Sequence, residues 1–366
     1  MLFCSDLKKK IFLFSAVAVL ILSTGCGSTA FFAVSSSREH TGGIYRIHGD
    51  RCYQAVVFPT LNLLLHDQQQ GRIYGTSNRI PGTQSKEGGL SVFENRNGRW
   101  RAVQTLAVNG KTPCHIALSP CRKFLYTANY TSGDLSQFEL DPDKKLSFSR
   151  LIRHSGSSIT GRQRTPHPHC VVFDPAGKQL FVCDLGTDEV VIYNFTEKKG
   201  LQLPAAQKIK LLPGSGPRHL VFDPAGTVFY TANELNSTAS SFVKDPYGTW
   251  KLHRSCSTLD KGTTKQNAPG AIKISSDGKY FLVTNRGGDS IAVFSADREG
   301  DFKLNYTISS GGNFPSDILL FESRKQVAVS HLKSGTISLF TWDPESGILT
   351  GSRPLATVPS AIGLSH

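Results

Sequence analysis

Three histidines in this chain each precede the same kind of segment. His115, His169 and His219 are followed by a short apolar run, a Ser-Pro or Asp-Pro turn, a second apolar run and a polar residue. The polar residues that end these segments are, in order, Asn129, Asp184 and Glu234. In an antiparallel pair, the start of one strand and the end of the next lie at the same edge. We therefore expect each histidine to approach the polar residue that ends its segment, an arrangement suited to acid–base chemistry.

Cations accompany these groups at the same edge. Arg218 directly precedes His219, and a later unit pairs Lys273 with Arg286 in the same way. The next unit would bring Asp317 close to His331. A guanidinium group binds carboxylate and phosphate well because its N–H donors form a planar fork. The alternative interpretation is that the histidines are structural residues, and that Arg218 and Glu234 form a simple ion pair.

The elements that must position these residues form a repeat. The segments recur about every fifty residues, which indicates a repeat architecture. Each copy continues through a short Gly/Asp/Ser loop into another strand. Seven copies are present, at residues 31–47, 73–94, 124–140, 180–195, 229–244, 280–295 and 326–342. They predict an all-β fold, a seven-bladed β-propeller of four-stranded antiparallel blades. A six- or eight-bladed ring is the alternative, whereas a β-sandwich would not produce this period.

The two ends of the chain complement each other. The copy at residues 31–47 lacks a preceding innermost strand. The chain ends in VPSAIGLSH, which is similar to innermost strands such as TPCHIALSP. We predict that the C-terminal strand completes the first blade and removes the free sheet edges. Residues 30–366 would then form a single domain.

Three segments resemble the seven-bladed propeller lactonases, which include bacterial 6-phosphogluconolactonase and fungal carboxymuconate cyclase. They read TPHPHCVVFDPAGKQLFVCDLGTDEV, GSGPRHLVFDPAGTVFYTANELNS and SSDGKYFLVTNRGGDSIAVF. The resemblance implies that the catalytic residues are Glu234, Arg218, His169 and Arg286. It places His219 and Asp184 beside them, and the hairpin argument adds His115 and Asn129. We predict that these last four residues contact the substrate.

The resemblance implies a reaction in which water opens a cyclic ester. The substrate would be a small anionic lactone similar to 6-phosphogluconolactone. Glu234 or His169 would take the proton of the water as general base. Arg218 would stabilise the oxyanion or hold an acidic substituent, with Arg286 as a second clamp. No cofactor and no metal are expected, and the sequence contains neither a GxSxG nor an HExxH motif.

Some positions depart from the family pattern. Ala271 and Lys273 stand where relatives have an acidic residue and a histidine, and Ser316 replaces an arginine. These changes fit either a different substrate or a loss of activity. Two alternative functions therefore stay open: a non-enzymatic exported scaffold or binding lipoprotein, and a cycloisomerase that makes or opens a muconolactone.

The charge of the chain favours anionic ligands. Its formal net charge is +13, and no lysine- or arginine-rich run occurs after the first residues. A spread of positive charge attracts small anions and anionic surfaces. No nucleic-acid-binding motif, basic helix or aromatic–basic stripe is present, so a nucleic-acid partner is not expected. We expect a monomer.

The first 29 residues have the pattern of an export signal. Lys8–Lys10 precede an apolar run over residues 11–22, and Ser-Thr-Gly leads to Cys26. The run is shorter than an ordinary membrane-spanning helix. We predict export to the periplasm, with Cys26 as the point of lipid attachment in a membrane-anchored lipoprotein. Signal cleavage without a lipid and a cytoplasmic location are the alternatives.

The cysteines beyond Cys26 show no spacing typical of a metal site. Cys170 and Cys183 lie on the two arms of one predicted hairpin. We expect them to face the same side but to sit diagonally, which would leave them too far apart for a disulfide.

Overall fold

The computed structural model describes residues 30–366, which fold almost entirely into β-strands. Two short 3₁₀-helices, Gly161–Gln163 and Glu322–Arg324, are the only helices of that range. In chain order the strands are β1 Ala30–Ser35, β2 Gly43–His48, β3 Arg51–Val57, β4 Leu61–Asp67, β5 Arg72–Ser77, β6 Gly89–Arg96, β7 Arg99–Ala107, β8 Pro113–Leu118, β9 Phe124–Asn129, β10 Asp134–Leu140, β11 Leu146–Arg153, β12 Pro168–Phe173, β13 Gln179–Asp184, β14 Glu189–Thr196, β15 Gly200–Leu201, β16 Gln207–Lys210, β17 Pro217–Phe222, β18 Val228–Asn233, β19 Thr238–Lys244, β20 Trp250–Ser257, β21 Ala268–Ile274, β22 Tyr280–Arg286, β23 Ser290–Ala296, β24 Phe302–Ser309, β25 Pro315–Phe321, β26 Gln326–His331, β27 Thr336–Asp343, β28 Ile348–Thr357 and β29 Ala361–Ser365.

These strands form seven antiparallel sheets, which are the blades of the predicted propeller. Blade 1 has the strand order β29-β1-β2-β3, and blades 2 to 7 follow along the chain. The first strand of each blade contacts the first strands of both neighbouring blades, so these strands line the centre of the ring. In blade 4 the fourth strand is interrupted, because β15 and β16 both pair with β14.

The C-terminal strand closes the ring as predicted. β29 pairs antiparallel with β1, with Phe32 opposite Ser365 and Ala33 opposite Leu364. Phe31 and Leu364 belong to one apolar cluster with residues of blade 7, including Phe321. The innermost strand of blade 1 is therefore supplied by the far end of the chain.

The core lies between the blades. Each pair of neighbouring blades buries one apolar cluster, which gives seven clusters around the ring. Aromatic side chains on the second and third strands stack within some blades. Phe229 and Phe242 have ring centroids 4.4 Å apart at an interplanar angle of 8°. Burying such large flat side chains supplies much of the stabilisation of a sheet-on-sheet interface.

A β-bulge near the start of the innermost strand recurs in all seven blades. In β17 the register passes from Pro217–Asn233 to His219–Ala232, which leaves Arg218 as the extra residue. In β12 the same shift leaves His169 between Pro168 and Cys170. A bulge bends the strand and redirects the side chain of the extra residue. The propeller thus presents one re-aimed residue per blade at the same edge of the ring.

The bulge corrects two predictions of register. Cys170 lies directly opposite Cys183, not diagonal to it, because the extra residue shifts the pairing by one. Both thiols are free and buried. The residues opposite Asn129 and Asp184 are Pro113 and Pro168, and not His115 and His169. Likewise Pro315, and not Asp317, lies opposite His331. Arg286 lies opposite Ala268, whereas Lys273 lies opposite Leu282.

No helix within residues 30–366 is long and apolar enough to cross a bilayer.

Candidate active site

His169 and Arg218 occupy equivalent positions in neighbouring blades. Each is the bulge residue of its innermost strand, so both side chains are re-aimed at one edge of the ring. We call this edge, where the innermost strands begin and the second strands end, the mouth face. His115 and His219 each follow the bulge by one residue. The three histidines therefore do not share one register, although the repeat in sequence suggests that they do.

Glu234 is the centre of the charged cluster on the mouth face. It follows the end of β18, and its backbone N–H donates to the carbonyl oxygen of Gly216 at 2.8 Å. Its side chain is only 6% exposed. Arg286 Nη2 donates to Oε2 at 2.5 Å, and Arg162 Nη1 donates to Oε1 at 2.6 Å. Arg218 Nε lies 3.0 Å from Oε2, although without the direction of a hydrogen bond.

Arg162 is a member of this cluster that the repeat pattern did not identify. It lies in residues 154–167, the longest connection at the mouth face, which joins blade 3 to blade 4. A second donor, Nη2, reaches the hydroxyl of Tyr130 at 2.9 Å. The side chain is 52% exposed, whereas Arg218 and Arg286 are 11% and 12% exposed. The length of this connection and its GRQR run were the available signals in the sequence.

Asp188 holds the connection that carries Arg162. Its carboxylate accepts from Gln163 Nε2 at 2.7 Å and from Ser158 Oγ at 2.5 Å. It also accepts from the backbone N–H groups of Gly214 at 2.7 Å and Gly216 at 2.6 Å, on the segment that leads to Arg218. Gln163 is fully buried and next to Arg162. One carboxylate therefore fixes two of the three arginines relative to each other.

The histidines form a row beside Arg218. The ring of His219 lies 5.3 Å from that of His115 and 5.4 Å from that of His169. Arg218 Nη1 is 3.0 Å from His219 Nε2, and a guanidinium group can only donate. His219 Nε2 is therefore the acceptor, and its lone pair is occupied.

His115 and His169 differ in their partners. His115 Nδ1 accepts from the N–H of Val171 at 3.5 Å, so His115 links blades 3 and 4. His169 Nδ1 lies 3.8 Å from the sulfur of Cys114, which is a weak contact. Within residues 30–366 no other side chain hydrogen-bonds to the His169 ring. Of the three histidines, His169 is thus the one whose ring nitrogens have the weakest contacts with other side chains.

The electrostatics of the cluster set the protonation of each group. Burial opposes ionisation of Glu234, but the positive charges of Arg286 and Arg218 outweigh it and hold its pKa well below the usual range. Burial, reinforced by the charge of Arg218, lowers the pKa of both His169 and His219 well below its usual value. Burial and the nearby Arg286 lower the pKa of Arg218 to about 10. At neutral pH Glu234 is therefore ionised, Arg218 is charged, and the imidazoles of His169 and His219 are neutral.

Aromatic side chains form part of the wall around the cluster. The rings of Tyr130 and His167 stack with centroids 4.4 Å apart at 13°. Tyr130 also makes an edge contact with His169. On the other side, the guanidinium carbon of Arg286 lies 5.3 Å from the centroid of Phe314. A flat apolar surface beside a cationic cluster suits a small ring that carries an acidic group.

Asn129 and Asp184 take part in buried networks and not in the Glu234 cluster. Both are fully buried. Asn129 Nδ2 donates to Asp134 at 2.7 Å and to Ser136 at 2.8 Å. Asp184 lies 2.7 Å from His154 Nδ1 and accepts from the N–H of His167 at 2.7 Å. The structure therefore places these two residues behind the mouth face, as supports of its loops.

Two of the positions that depart from the family pattern, Ala271 and Ser316, have structural partners here. Ala271 is buried, and its N–H donates to Thr284 Oγ1 at 2.9 Å. Ser316 donates to the carbonyl of Phe314 at 3.1 Å. Asp317 accepts from the N–H of Leu364 at 2.8 Å, which ties blade 7 to the closing strand. Among residues 30–366, no three His, Cys, Asp or Glu side chains are grouped to hold a metal ion.

Comparison with known proteins identifies the family of the chain. A family model described as "Lactonase, 7-bladed beta-propeller" matches residues 50–364. The chain is 29% identical to a 6-phosphogluconolactonase of Bacillus subtilis, with 75% of this chain and 79% of that protein covered. It is 32% identical to a 6-phosphogluconolactonase of Formosa agariphila, with 72% and 76% covered.

Solved structures have the same fold. A periplasmic gluconolactonase of Pseudomonas aeruginosa superposes with a TM-score of 0.82 at 24% identity, covering 92% of this chain and 98% of that one. A protein from Lactobacillus plantarum gives the same TM-score and coverage at 25% identity. The family model and the named relatives define the chain as a lactonase-like hydrolase. The chain belongs to the seven-bladed β-propeller lactonase family.

Proposed function

We propose that this protein hydrolyses a small lactone that carries an acidic substituent, and that the reaction takes place at the mouth face beside Glu234. The observation that supports this most directly is the group of three guanidinium groups around one buried carboxylate, next to the neutral imidazole of His169. The cations outnumber the carboxylate, so the cluster attracts an anionic ligand. The names of the curated relatives point to the same class of substrate.

In this proposal the arginines divide the work of binding. Arg162 is half-exposed and uses one donor for Glu234 and one for Tyr130, so its other N–H groups are available to an incoming anion. Arg162 and Arg286 hold the acidic substituent of the lactone. The lactone ring then lies against Tyr130. Arg218, which is almost fully buried, is left to face the carbonyl oxygen.

The chemical step needs one base and one oxyanion stabiliser. The oxygen of a water molecule attacks the lactone carbonyl carbon while His169 takes a proton from that water. The carbonyl oxygen becomes an oxyanion that the charge of Arg218 stabilises. When the intermediate collapses, the ring C–O bond breaks and His169 returns the proton to the leaving alkoxide. The product is an open-chain hydroxy acid.

We assign the base to His169 and not to Glu234. Both oxygens of the Glu234 carboxylate accept a hydrogen bond from an arginine, Oε2 from Arg286 and Oε1 from Arg162, so the sites that would take a proton are occupied. His169 is neutral, and its ring has only a weak contact with Cys114. The electrostatic potential at its ring changes when an anionic substrate binds. An anionic substituent offsets the charge of the arginines, which raises the basicity of the imidazole in the complex. Glu234 is then a positioning residue that aligns the arginines.

We also infer that the protein is exported. The inference depends on Lys8–Lys10, the apolar run over residues 11–22 and Cys26, all of which lie outside the described residues. An exported enzyme would act on lactones that occur outside the cytoplasm, such as oxidised sugars with a free carboxylate. Attachment of a lipid at Cys26 belongs to the same proposal.

The test is lactone hydrolysis by the full chain. Acid release from 6-phosphogluconolactone and from a muconolactone is followed by pH-stat against the spontaneous rate, for the unaltered protein and for His169→Asn and Glu234→Gln. We expect hydrolysis above background that falls at least a hundredfold in His169→Asn, since general bases contribute about 10²–10⁴-fold. Thermal unfolding of each variant separates lost chemistry from lost fold. If a folded His169→Asn keeps the full rate, or if neither lactone is hydrolysed above background, the proposal is wrong.

A further inference from the structure

The chain enters the propeller on the side opposite the active site. Ala30, the first residue of β1, pairs with His48, whereas Ser35 at the other end of β1 pairs with Gly43. Second strands such as β1 and β18 end at the mouth face, where Glu234 lies. Ala30 is therefore at the opposite edge of the ring. We call this edge the far face.

A basic groove lies beside this entry point. It has a volume of about 740 Å³ and is lined by the hairpin of β6 and β7, including Arg96, Arg99 and Arg101. All three arginines are exposed. A smaller cavity of about 180 Å³ lies on the other face of the same hairpin, and its lining includes Ala30, Phe32, Asn95 and Trp100. Neighbouring residues of a strand point to opposite faces of the sheet, so Asn95 and Trp100 face the chain entry in blade 1, whereas Arg99 and Arg101 face away from it. The groove and the chain entry therefore lie in adjacent blades, both at the far-face end of the hairpin of β6 and β7.

The charge of the far face varies around the ring. The turns that join third and fourth strands on the far face are basic in blade 2 but predominantly acidic in blades 6 and 7. The charged residues of those two acidic turns are Asp297, Arg298, Glu299, Asp301, Asp343 and Glu345. A face with this asymmetry is oriented by an anionic surface, which attracts one side and repels the other.

We propose that the groove of Arg96, Arg99 and Arg101 binds the anionic phospholipid headgroups of a bilayer. Two observations select a membrane as the occupant. The segment before Ala30 combines a basic start, an apolar run and Cys26, so the chain approaches the far face from a sequence predicted to contact membrane. The exposed side chains next to that point have the charge that complements anionic lipid. Docked in this way, the mouth face points away from the bilayer and stays open to substrate.

The experiment measures co-sedimentation of the full chain with vesicles of phosphatidylcholine alone and with added phosphatidylglycerol. The N-terminal segment contributes to binding on both, so the difference between them reports the charge contribution. A basic side chain near an anionic bilayer contributes roughly fivefold in binding, so replacing three lowers the partition coefficient roughly a hundredfold. The test variant is Arg96→Gln with Arg99→Gln and Arg101→Gln. Its matched control is Lys111→Gln with Lys261→Gln and Lys265→Gln, which removes three exposed charges from the mouth face.

We expect the groove variant to lose the preference for phosphatidylglycerol and the control to keep it. Salt of about 1 M, where the Debye length is roughly 3 Å, should abolish the preference of the unaltered protein. An unchanged thermal unfolding midpoint would show that the groove variant is folded, and this control keeps the test independent of the proposed reaction. Equal binding to both kinds of vesicle, an equal loss in both triple variants, or capture by an anionic polysaccharide without any preference for phosphatidylglycerol would overturn the proposal.

Discussion

Arg162→Gln tests whether the acidic group of the substrate is held at the mouth face. The substitution removes the guanidinium that joins Glu234 to Tyr130. It leaves Gln163, the buried anchor of the same segment, in place. Because the Arg162 side chain is 52% exposed, its ion pair with Glu234 is screened by water, and we expect a loss of stability of less than about 1 kcal/mol. The fold of the variant should therefore be intact.

The expected effect on activity follows from the charge of the substrate. A hydrogen bond to a charged group contributes about 1.5–3 kcal/mol, which corresponds to roughly 10- to 150-fold in kcat/KM. This loss applies to a lactone whose phosphate or carboxylate receives the donors of Arg162. A neutral lactone has no such group, so its kcat/KM should change by less than about threefold, in line with the small worth of an exposed ion pair. The ratio of the two losses is the quantity that tests the structure.

The assay is a pair of pH-stat measurements on the variant, with 6-phosphogluconolactone and with glucono-1,5-lactone. Arg164→Gln is the matched control, since it removes an exposed arginine from the same segment that forms no ion pair among residues 30–366. Equal losses on both lactones would mean that Arg162 acts only by supporting Glu234. No loss on either would mean that the acidic group binds elsewhere, and both results would refute the reasoning.

Three further predictions concern the stability of the site. Glu234→Gln leaves the surrounding arginines without a counter-charge and should lower the free energy of unfolding by about 3 kcal/mol, measured by denaturant titration; an unchanged midpoint would contradict the ion cluster. The pKa values of His169 and His219 are lower in the folded chain than in the unfolded chain. The unfolded chain therefore binds more protons in mildly acidic solution, so the free energy of unfolding should fall as pH drops below about 6.5. Glu234, whose pKa is also lowered, adds to that loss at lower pH. A midpoint that rises between neutral and mildly acidic pH would refute this. Asp188→Ala should lower the free energy of unfolding by about 2–4 kcal/mol and raise KM, because it releases the segment that carries Arg162. Thermal unfolding and lactone kinetics measure the two effects, and a lower unfolding temperature with an unchanged KM would contradict the role of Asp188 in positioning Arg162.

The architecture was accessible from the sequence because it is local and repeated. Each blade is built from strands that are neighbours in the chain, and the Ser-Pro, Asp-Pro and Gly turns mark their ends. A repeat of seven such units can bury its sheets in few ways. The copy at residues 31–47 lacks an innermost strand, and the end of the chain resembles one, which left one way to close the ring. The edge on which His169, Arg218, Glu234 and Arg286 meet followed from the same hairpin geometry.

The tertiary structure decided which polar residues face the mouth. A bulge inserts one residue without any consistent residue type at that position, so the sequence repeat aligned His169 with His115 and His219 when its true equivalent is Arg218. In sequence, Asn129 ends its segment as Glu234 does. In the structure its side chain is buried and hydrogen-bonded to Asp134 and Ser136, and these contacts form only when the blade packs.

Arg162 shows the remaining limit most clearly. It comes from a connection between blades, where no periodicity constrains the backbone. Its position depends on the four hydrogen bonds that converge on Asp188 from two separate segments. The chain by itself determined the ring and the edge at which chemistry is possible. The register of the bulges and the folding of one connection onto Asp188 decided which side chains meet there, because those interactions join residues that are distant in sequence.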